Sequence, residues 1–275
     1  MFSYKNLYKK LLKEFNKKGL GKRPLLDIFE NALNAKENDI VLDKLPKTNL
    51  FLYLKIINIS KRVLNGYPLE YIFKRSYFFG LELYVNKNTL IPRDETEELV
   101  EWVLSDNIGE KLNILDLCSG SGCIGLALKS KRSNWNITGL DISEKANKVA
   151  RYNAKKLKLD VDFLTNNLLE NINKQYDIIV SNPPYIYIND KEVSKSVRKF
   201  EPKLALFVDD RKGITIYKRI FDQLSQMNFK KAYFEFGYNQ KESLIKLLQN
   251  YKFEYEFKKD INNKDRMLKI INCNL

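Results

Sequence analysis

The stretch SNPPY, residues 181–185, follows an apolar run at 177–180 that is typical of a buried strand. Prolines end strands because they lack an amide hydrogen and fix their own φ angle. Open α/β sheets bind ligands at the carboxyl ends of their strands. The pattern therefore predicts that the polar amide of Asn182 is held rigidly at a binding edge. An ordinary strand-ending turn is the alternative.

A second candidate site lies in ILDLCSGSGCIG, residues 114–125. Gly120, Gly122 and Gly125 have the spacing G-x-G-x-x-G between a predicted strand and a predicted helix. Such glycines let the backbone turn tightly and approach a ligand, and Asp141, at the end of the next strand, can bind a ribose diol. Taken alone, this spacing fits a nicotinamide or flavin nucleotide.

Two details favour a ligand that carries no phosphate. Asp116 lies at the end of the first strand, where its carboxylate would oppose a pyrophosphate and suit a cation, and no arginine is near in the sequence. S-adenosylmethionine has a ribose, an adenine and a positive charge but no phosphate, and its sulfonium makes the methyl group transferable without a metal. A glycine-rich turn that binds no ligand is the alternative.

We expect Asn182 to position a nitrogen that is a poor nucleophile, such as that of an amide or a base amine. In a doubly wound sheet its strand lies beside the glycine loop, so Asn182 should face the methyl donor. Hydrogen bonds from an amide or base amine to the Asn182 side-chain oxygen and the Pro183 carbonyl would orient the nitrogen and favour its pyramidalisation. Pro183 keeps Asn182 extended, and Tyr185 offers an aromatic face to a flat target.

The composition of the 275 residues excludes several kinds of enzyme. There is no histidine, so a Ser-His-Asp triad and nearly all familiar catalytic zinc sites are excluded. The three cysteines are too few and too poorly spaced for a disulfide framework or a zinc site, and we expect no metal and a reducing cytoplasm. No signal peptide or apolar run of ~18–20 residues is visible, so no membrane partner is expected.

The charge is positive and uneven. The formal net charge is +14, and residues 1–75 hold 16 Lys and Arg against seven Asp and Glu, a net of +9. A basic N-terminal region indicates an anionic partner, either nucleic acid or an acidic protein. The alternative is compositional bias, because the whole chain is rich in Lys, Asn and Ile.

The N-terminal part of the chain is predicted to be helical. Apolar residues recur with helical spacing in three stretches of residues 1–75. Pro24 opens the second stretch, and the third follows Thr48 as N-cap and ends at Gly66. We therefore predict a small all-helical domain over residues 1–75.

A hairpin and an α/β domain are predicted to follow. Apolar and polar residues alternate in the segment RSYFFGLELYVNKNTLIPR, which also contains aromatic residues. Residues 76–93 are therefore interpreted as a β-hairpin linker that turns at Asn86-Lys87-Asn88. After it, strands and helices alternate through residues 94–275: strands at 114–117, 137–141, 161–164 and 177–180, and helices from 96, from 124 and over 144–157. This alternation predicts a mostly parallel, doubly wound, Rossmann-like sheet.

These residues resemble the bacterial-type release factor glutamine methyltransferases. Enzymes of that family use S-adenosylmethionine to methylate the glutamine side-chain amide in the Gly-Gly-Gln loop of peptide chain release factors. The resemblance runs through GYPLEYI, FFGLELYVNKNTLIPRDETEELVE, ILDLCSGSGCIGLAL, GLDISEKANKVARYNA, SNPPYI, VRKFEPKLALFVDDRKGITIYKRI and FEFGYNQKESLIKLL. The tetrad NPPY marks amino-methyltransferases broadly, including those that act on DNA adenine and ribosomal RNA guanine. IPRDETE joined to a helical domain narrows the resemblance to this family.

The resemblance implies a set of roles. The methionine part of the donor is expected at Cys118, Ser119, Gly120, Ser121 and Gly122, and the ribose at Asp141. The substrate glutamine is expected at Asn182, Pro183, Pro184 and Tyr185, with Asn182 catalytic and also close to the donor. The helical domain would recognise the release factor, and nucleic acid would be contacted only indirectly, through the translation machinery.

The sequence departs from the family pattern at several positions. Asp94 replaces the usual proline, and Cys118 replaces a more common glycine. Asn166-Asn167 occupy the place where the family commonly has an acidic residue followed by an apolar or aromatic one, near the adenine of the donor. Asn167 is therefore the candidate for the adenine contact. Three alternatives stay open: a ribosomal protein glutamine methyltransferase, an RNA or DNA amino-methyltransferase, and a donor-binding module without catalysis.

Overall fold

The structure is a computed structural model that describes residues 3–42, 44–109 and 111–273. Its contacts divide the chain into two compact units, Met1–Phe73 and Lys74–Leu275. The first unit contains the helices α1 (Tyr4–Lys17), α2 (Arg23–Leu33), α3 (Glu37–Val41), α4 (Leu50–Leu64) and α5 (Leu69–Phe73). In the described residues, none of the helices of either unit is both long enough and apolar enough to cross a membrane.

The first unit is built around the apolar faces of α1, α2 and α4. Phe15, Leu25, Ile28, Phe29 and Ile56 are fully buried in one cluster. Their spacing within each helix is that of one amphipathic face, which a short helix must bury to be stable in water. The predicted helical region is therefore confirmed.

The start of α4 differs from the prediction. Its N-cap is Asn49, whose side-chain oxygen accepts a hydrogen bond of 3.2 Å from the amide of Leu52. The backbone of Asn49 is also fixed by the hydroxyl of Tyr4, which accepts from its amide at 3.0 Å and donates to its carbonyl at 3.2 Å. The prediction of Thr48 as N-cap was wrong because this tertiary contact selects the neighbouring residue.

The second unit is an α/β structure. Its elements are β1 (Ser76–Phe78), β2 (Leu81–Leu83), α6 (Asp94–Asp106), β3 (Asn113–Leu117), α7 (Cys123–Lys131), β4 (Asn136–Asp141), α8 (Glu144–Leu157), β5 (Asp162–Thr165), β6 (Ile178–Ser181), β7 (Ile186–Tyr187), α9 (Lys195–Phe200), a 3₁₀ turn (Lys203–Ala205), β8 (Phe207–Val208), α10 (Thr215–Leu224), β9 (Lys231–Glu235), α11 (Lys241–Leu248), β10 (Phe253–Lys259) and β11 (Asp265–Asn272).

The hairpin is shorter than predicted and turns elsewhere. β1 and β2 pair antiparallel, with Phe78 opposite Leu81, so the loop consists of Phe79 and Gly80. Both loop residues have positive φ, +51° and +80°, which is the combination that a type I′ two-residue loop requires. The predicted turn at Asn86-Lys87-Asn88 is a separate turn, in which the amide of Thr89 donates to the carbonyl of Asn86.

The main sheet has seven strands in the order β10-β11-β9-β6-β3-β4-β5. β9, β6, β3, β4 and β5 are parallel, whereas β10 and β11 are antiparallel. The winding reverses between β3 and β6, because β4 and β5 extend the sheet on one side of β3 and β6 on the other. Ligands of open α/β sheets bind at such a switch point, outside the carboxyl ends of the strands.

Helices cover both faces of the sheet. Successive residues of a strand point to opposite faces, so Ile114 packs in the cluster that includes α6, α7 and α8, and Leu115 in the cluster that includes α10 and α11. Ile178 and Ile179 of β6 alternate in the same way. The predicted α/β, Rossmann-like architecture is therefore confirmed.

Candidate active site

A cavity of about 190 Å³ lies at the carboxyl ends of β3, β4, β5 and β6, and we call it the first cavity. Its wall includes Leu140 and Leu168 as apolar surfaces. It brings together six of the residues that the sequence indicated, namely Cys118, Gly120, Asp141, Asn167, Asn182 and Pro184. The strand ends thus assemble most of the predicted site from segments that are distant in the sequence.

The glycine loop that follows β3 forms one side of this cavity. Gly120 has φ +56° and Gly122 has φ +78°, a region that favours glycine. A Cβ on Gly122 would come within 2.6 Å of the Phe163 ring, whereas one on Gly120 would meet nothing within 4 Å. Ser119 and Ser121 are buried, and like Gly122 they are not part of the cavity wall. These three residues shape the loop, and Gly120 presents open backbone to the cavity.

Asp141 is held rigidly at the end of β4. One carboxylate oxygen accepts a hydrogen bond of 2.9 Å from the amide of Gly120, and the other accepts one of 2.8 Å from the amide of Ser143. Burial raises the pKa of Asp141, and the two amide hydrogen bonds oppose that rise. Each oxygen keeps further acceptor capacity, because a carboxylate oxygen has two lone pairs. The residue fits a pair of hydroxyl donors such as a ribose diol.

Asp116 corrects one argument from the sequence. It is fully buried, and its Oδ2 accepts a hydrogen bond of 2.9 Å from the amide of Gly125 in α7. It is not part of the cavity wall, so the expectation that its carboxylate faces a cationic ligand was wrong. Burial raises the pKa of Asp116 to about 7. Its contact with the start of α7 makes it a support of the glycine loop.

Arg219 corrects a second argument. The sequence has no arginine close to the glycine loop, but α10 brings Arg219 to the wall of the first cavity. Its guanidinium donates to Asn167 Oδ1 at 3.2 Å and to Glu170 at 3.4 Å, and Asn167 also donates to Glu170 at 2.5 Å. Leu168, beside Asn167, is one of the apolar residues of the same wall. An arginine is therefore present, but it is engaged by the segment after β5.

Asn182 follows β6 directly and is tied to two other elements. Its Nδ2 donates to the hydroxyl of Thr96 in α6 at 3.1 Å. That hydroxyl donates to Glu235 Oε2 at 2.5 Å, and the hydroxyl of Tyr185 donates to Glu235 Oε1 at 3.1 Å. Burial and Glu235 raise the pKa of Tyr185, so its hydroxyl keeps its proton. The NPPY tetrad is therefore anchored at both its first and its last residue.

A cavity of about 340 Å³ adjoins the NPPY tetrad, and we call it the second cavity. Asn182, Pro183 and Tyr185 line it, together with Leu90 and Arg93 from the segment before α6. Asn182 also lines the first cavity. A side chain in the second cavity can thus meet a ligand in the first cavity at Asn182.

Sequence reasoning missed Thr96 and Glu235. Thr96 was interpreted only as part of a helix start, and AYFEFG only as a strand. A signal was present, because an acidic residue inside an apolar strand is seldom buried without a partner. Glu235 is 2% exposed and lies 139 residues from Thr96 in the chain, so the partner itself was not predictable.

Several chemistries find no support in the site. Burial raises the pKa of Cys118 to about 12, so its thiol stays protonated and is a weak nucleophile. In residues 3–42, 44–109 and 111–273, no group of three or more Asp, Glu or Cys is arranged to hold a metal ion. The functional groups that line the two cavities include amide, carboxylate and hydroxyl groups and the guanidinium groups of Arg93 and Arg219. They can bind and orient, which suits a transfer reaction whose leaving group needs no acid or base.

Fold and site together define a class, the Rossmann-like methyltransferases. Residues 94–200 match the family described as methyltransferase small domain. The fold is similar to that of the hMettl16 catalytic domain in complex with MAT2A 3'UTR hairpin 1, with a TM-score of 0.57, 16% identity and 80% of each chain covered. It is also similar to a methyltransferase from Pyrococcus furiosus, with a TM-score of 0.52 and 15% identity over 78% of this chain and 98% of that one.

Relatives with higher sequence identity show which family of methyltransferases the chain belongs to. The release factor glutamine methyltransferase of Flavobacterium psychrophilum is 38% identical over 253 residues, which are 88% of this chain and 89% of that protein. The one from Mycoplasma mycoides is 36% identical over 270 residues, 92% of this chain and 93% of that protein. The chain belongs to the release factor glutamine methyltransferase family, and the resemblance inferred from its motifs is confirmed.

Proposed function

We propose that this protein transfers a methyl group from S-adenosylmethionine to the side-chain amide nitrogen of the glutamine in the Gly-Gly-Gln motif of peptide chain release factors. The observation that carries this proposal is the position of Asn182, which lines both the first and the second cavity. A donor in one cavity and a glutamine in the other would meet at this residue. Release factors act on ribosomes, so the proposed location is the cytoplasm.

The residues of the first cavity fit S-adenosylmethionine, which supplies an electrophilic methyl group when it is bound. Asp141 offers two fixed acceptors for the ribose hydroxyls. Cys118 and Gly120 of the loop after β3 would lie along the methionine part. Asn167 and the apolar Leu168 would lie at the adenine, with Arg219 holding Asn167 in place.

The acceptor side of the reaction requires positioning rather than proton abstraction. An amide nitrogen has a delocalised lone pair, and it attacks well only when it is oriented in line with the bond that breaks. The Asn182 side-chain oxygen and the Pro183 carbonyl would accept its two N–H groups. Those oxygens would also stabilise the positive charge that develops on the nitrogen in the transition state. Tyr185 would bound the glutamine side chain.

We assign recognition of the release factor to the helical unit, residues 1–73. Two features of the helical unit support this assignment: its excess of positive charge and an exposed apolar strip on α4. Leu50, Phe51 and Leu54 are 56%, 74% and 55% exposed, respectively, on neighbouring turns of that helix. Exposed apolar side chains that are neighbours on one surface, unlike single ones, are typical of interaction sites. Contact with nucleic acid would be indirect, through the translation machinery.

The substrate is tested by transfer of label from methyl-labelled S-adenosylmethionine. A bacterial release factor, its Gly-Gly-Gln variant with Gln→Ala, and ribosomal RNA are offered in parallel. Label on the release factor that disappears with the Gln→Ala change is the expected result. Label on the RNA, or equal label on both release factors, would contradict the proposal.

The role of the helical unit is tested with Leu54→Ala. We expect this change to raise KM for the intact release factor and to leave KM for a short Gly-Gly-Gln peptide unchanged. Leu42→Ala is the matched control, since Leu42 is 60% exposed in the same unit but lies outside α4. Equal effects on the protein and the peptide would remove the assignment.

A further inference from the structure

We propose that Thr96, anchored by Glu235, decides which end of the Asn182 side-chain amide faces the second cavity. This inference rests on the proposed function, because it concerns how Asn182 receives the substrate amide. It makes Thr96 a positioning residue that acts on the reaction through Asn182, with Glu235 fixing the hydrogen of the Thr96 hydroxyl. The orientation follows from the numbers of donors and acceptors along one chain of hydrogen bonds.

Glu235 lies at one end of this chain of hydrogen bonds. Its carboxylate is buried, and its two oxygens face two hydroxyl groups, that of Thr96 at 2.5 Å and that of Tyr185 at 3.1 Å. A carboxylate only accepts hydrogen bonds, so each hydroxyl must donate its hydrogen to it. Burial raises the pKa of Glu235, whereas the hydrogen bond from Thr96, the positive charge of Arg266 and the hydrogen bond from Tyr185 lower it and favour the carboxylate form. Glu235 thereby uses the only hydrogen of the Thr96 hydroxyl.

The polarity of the next hydrogen bond follows from this. With its hydrogen committed, the Thr96 oxygen can only accept, and the Asn182 group 3.1 Å away must be the donor, Nδ2. If the amide were turned over, Oδ1 would face the Thr96 oxygen with no hydrogen between them. Thr96 and Glu235 are 3% and 2% exposed, so the reversed Oδ1 would face a nearly buried hydroxyl oxygen that has no hydrogen left to donate. A buried polar atom without a partner costs about 1–3 kcal/mol.

For the reaction, the consequence is that the side-chain oxygen of Asn182 is a hydrogen-bond acceptor with a fixed orientation. With Nδ2 held by Thr96, the Asn182 oxygen is the end left to meet a substrate group. A substrate amide nitrogen presents N–H groups and therefore needs acceptors. The reversed Asn182 amide would turn its NH₂ group, a donor, towards the N–H groups of the substrate, which are also donors. Thr96 thus selects the productive one of two orientations that have nearly the same shape.

The sequence places these residues on rigid elements. Thr96 lies in the first turn of α6, and its branched Cβ limits its side-chain rotamers. Glu235 is the last residue of β9, which pairs with β6. Asn182 follows β6. Positions built on helices and strands hold a side chain more precisely than mobile loops do.

The test compares Thr96→Val with Thr96→Ser. Valine keeps the shape of threonine but removes the hydroxyl, whereas serine keeps the hydroxyl. We expect Thr96→Val to lower kcat by roughly 10- to 100-fold, as misplacement of a positioning group does. The affinity for S-adenosylmethionine, measured by calorimetry, should stay unchanged, and Thr96→Ser should restore most of kcat. Full kcat in Thr96→Val, or equal loss in both variants, would overturn the inference.

A second measurement uses the unaltered protein and does not depend on how the variants fold. In an NMR spectrum of the protein with labelled Asn side chains and methyl groups, the Asn182 NH₂ protons should show an Overhauser effect to the Thr96 methyl group. Asn182 NH₂ protons without that effect would overturn the inference. The two proposals fail separately: if the protein labels RNA and not the release factor, the proposed substrate is wrong, and the valine–serine comparison is made with RNA as acceptor.

Discussion

Arg93 and Glu201 form an ion pair of 2.6 Å between segments that are 108 residues apart. The Glu201 side chain is 3% exposed, and its second oxygen accepts a hydrogen bond from the amide of Ile91 at 3.2 Å. Arg93 lines the second cavity, and Pro202, next to Glu201, lines the first. The pair therefore joins two segments that wall the candidate active site.

Removal of the arginine should destabilise the second unit. Arg93→Ala leaves the Glu201 carboxylate buried without its cation, and we expect a loss of about 1–3 kcal/mol in the free energy of unfolding by urea. Lys218→Ala is the matched control, since it breaks an exposed pair with Asp222 in the same unit. That control should lose less than about 1 kcal/mol. Similar losses in both variants would contradict the account of the buried pair.

The close contact between Gly213 and the backbone carbonyl of Tyr185, the last residue of NPPY, leads to a second prediction. Gly213 has φ +66°, and a Cβ there would lie 2.2 Å from the Tyr185 carbonyl oxygen and 2.0 Å from Gln240 Nε2, which donates to the same carbonyl at 2.8 Å. We expect Gly213→Ala to lower both the thermal midpoint and methyl transfer. Gly109→Ala is the control, because Gly109 has φ +81° but open space. Equal loss of stability in the two variants would show that φ alone matters.

The pKa of Asp116 predicts a pH dependence of stability. Burial raises it from 3.8 to about 7, so between these values the folded state holds a proton that the unfolded state has lost. Its contribution therefore favours folding at pH 5 and is lost as the pH rises through about 7. We expect the unfolding free energy of the wild type, relative to Asp116→Asn, to fall by about 2–3 kcal/mol between pH 5 and pH 8. A difference that does not change with pH would refute the raised pKa.

Asp141 supports a prediction about donor affinity. Asp141→Ala removes both acceptors proposed for the ribose hydroxyls, and it should weaken S-adenosylmethionine binding by about 1–3 kcal/mol. The comparison is made by calorimetry with Glu144→Ala, an exposed acid in the first turn of α8. That control should bind as the wild type does. Unchanged affinity in Asp141→Ala would remove the ribose assignment.

The strand ends of the site were predictable, because local patterns determine them. Alternation of strands and helices gave the sheet, and the sheet places Asp141 and Asn182 at one edge. The helix predicted over 144–157 has those bounds in the structure. Apolar periodicity and turn residues act over a few positions, so a sequence read alone reveals them.

The missed features depend on contacts between distant segments. Thr96 meets Glu235 across 139 residues, and Arg219 meets Asn167 across 52. The hairpin turn was missed for a related reason: its loop has Phe79 at a positive φ, where Asn or Gly is the usual signal. The amide of Phe79 donates to Glu97 at 2.6 Å, a contact that lies outside the local pattern.

The most direct test of the account is methyl transfer by Asn182→Ala. Its transfer of label to an unmodified release factor is measured beside calorimetric binding of S-adenosylmethionine, with the wild type as reference. The account predicts that transfer is abolished while donor affinity stays within about tenfold of the wild-type value, a change of about 1.4 kcal/mol. Full transfer by Asn182→Ala would contradict the central claim that this amide orients the substrate nitrogen.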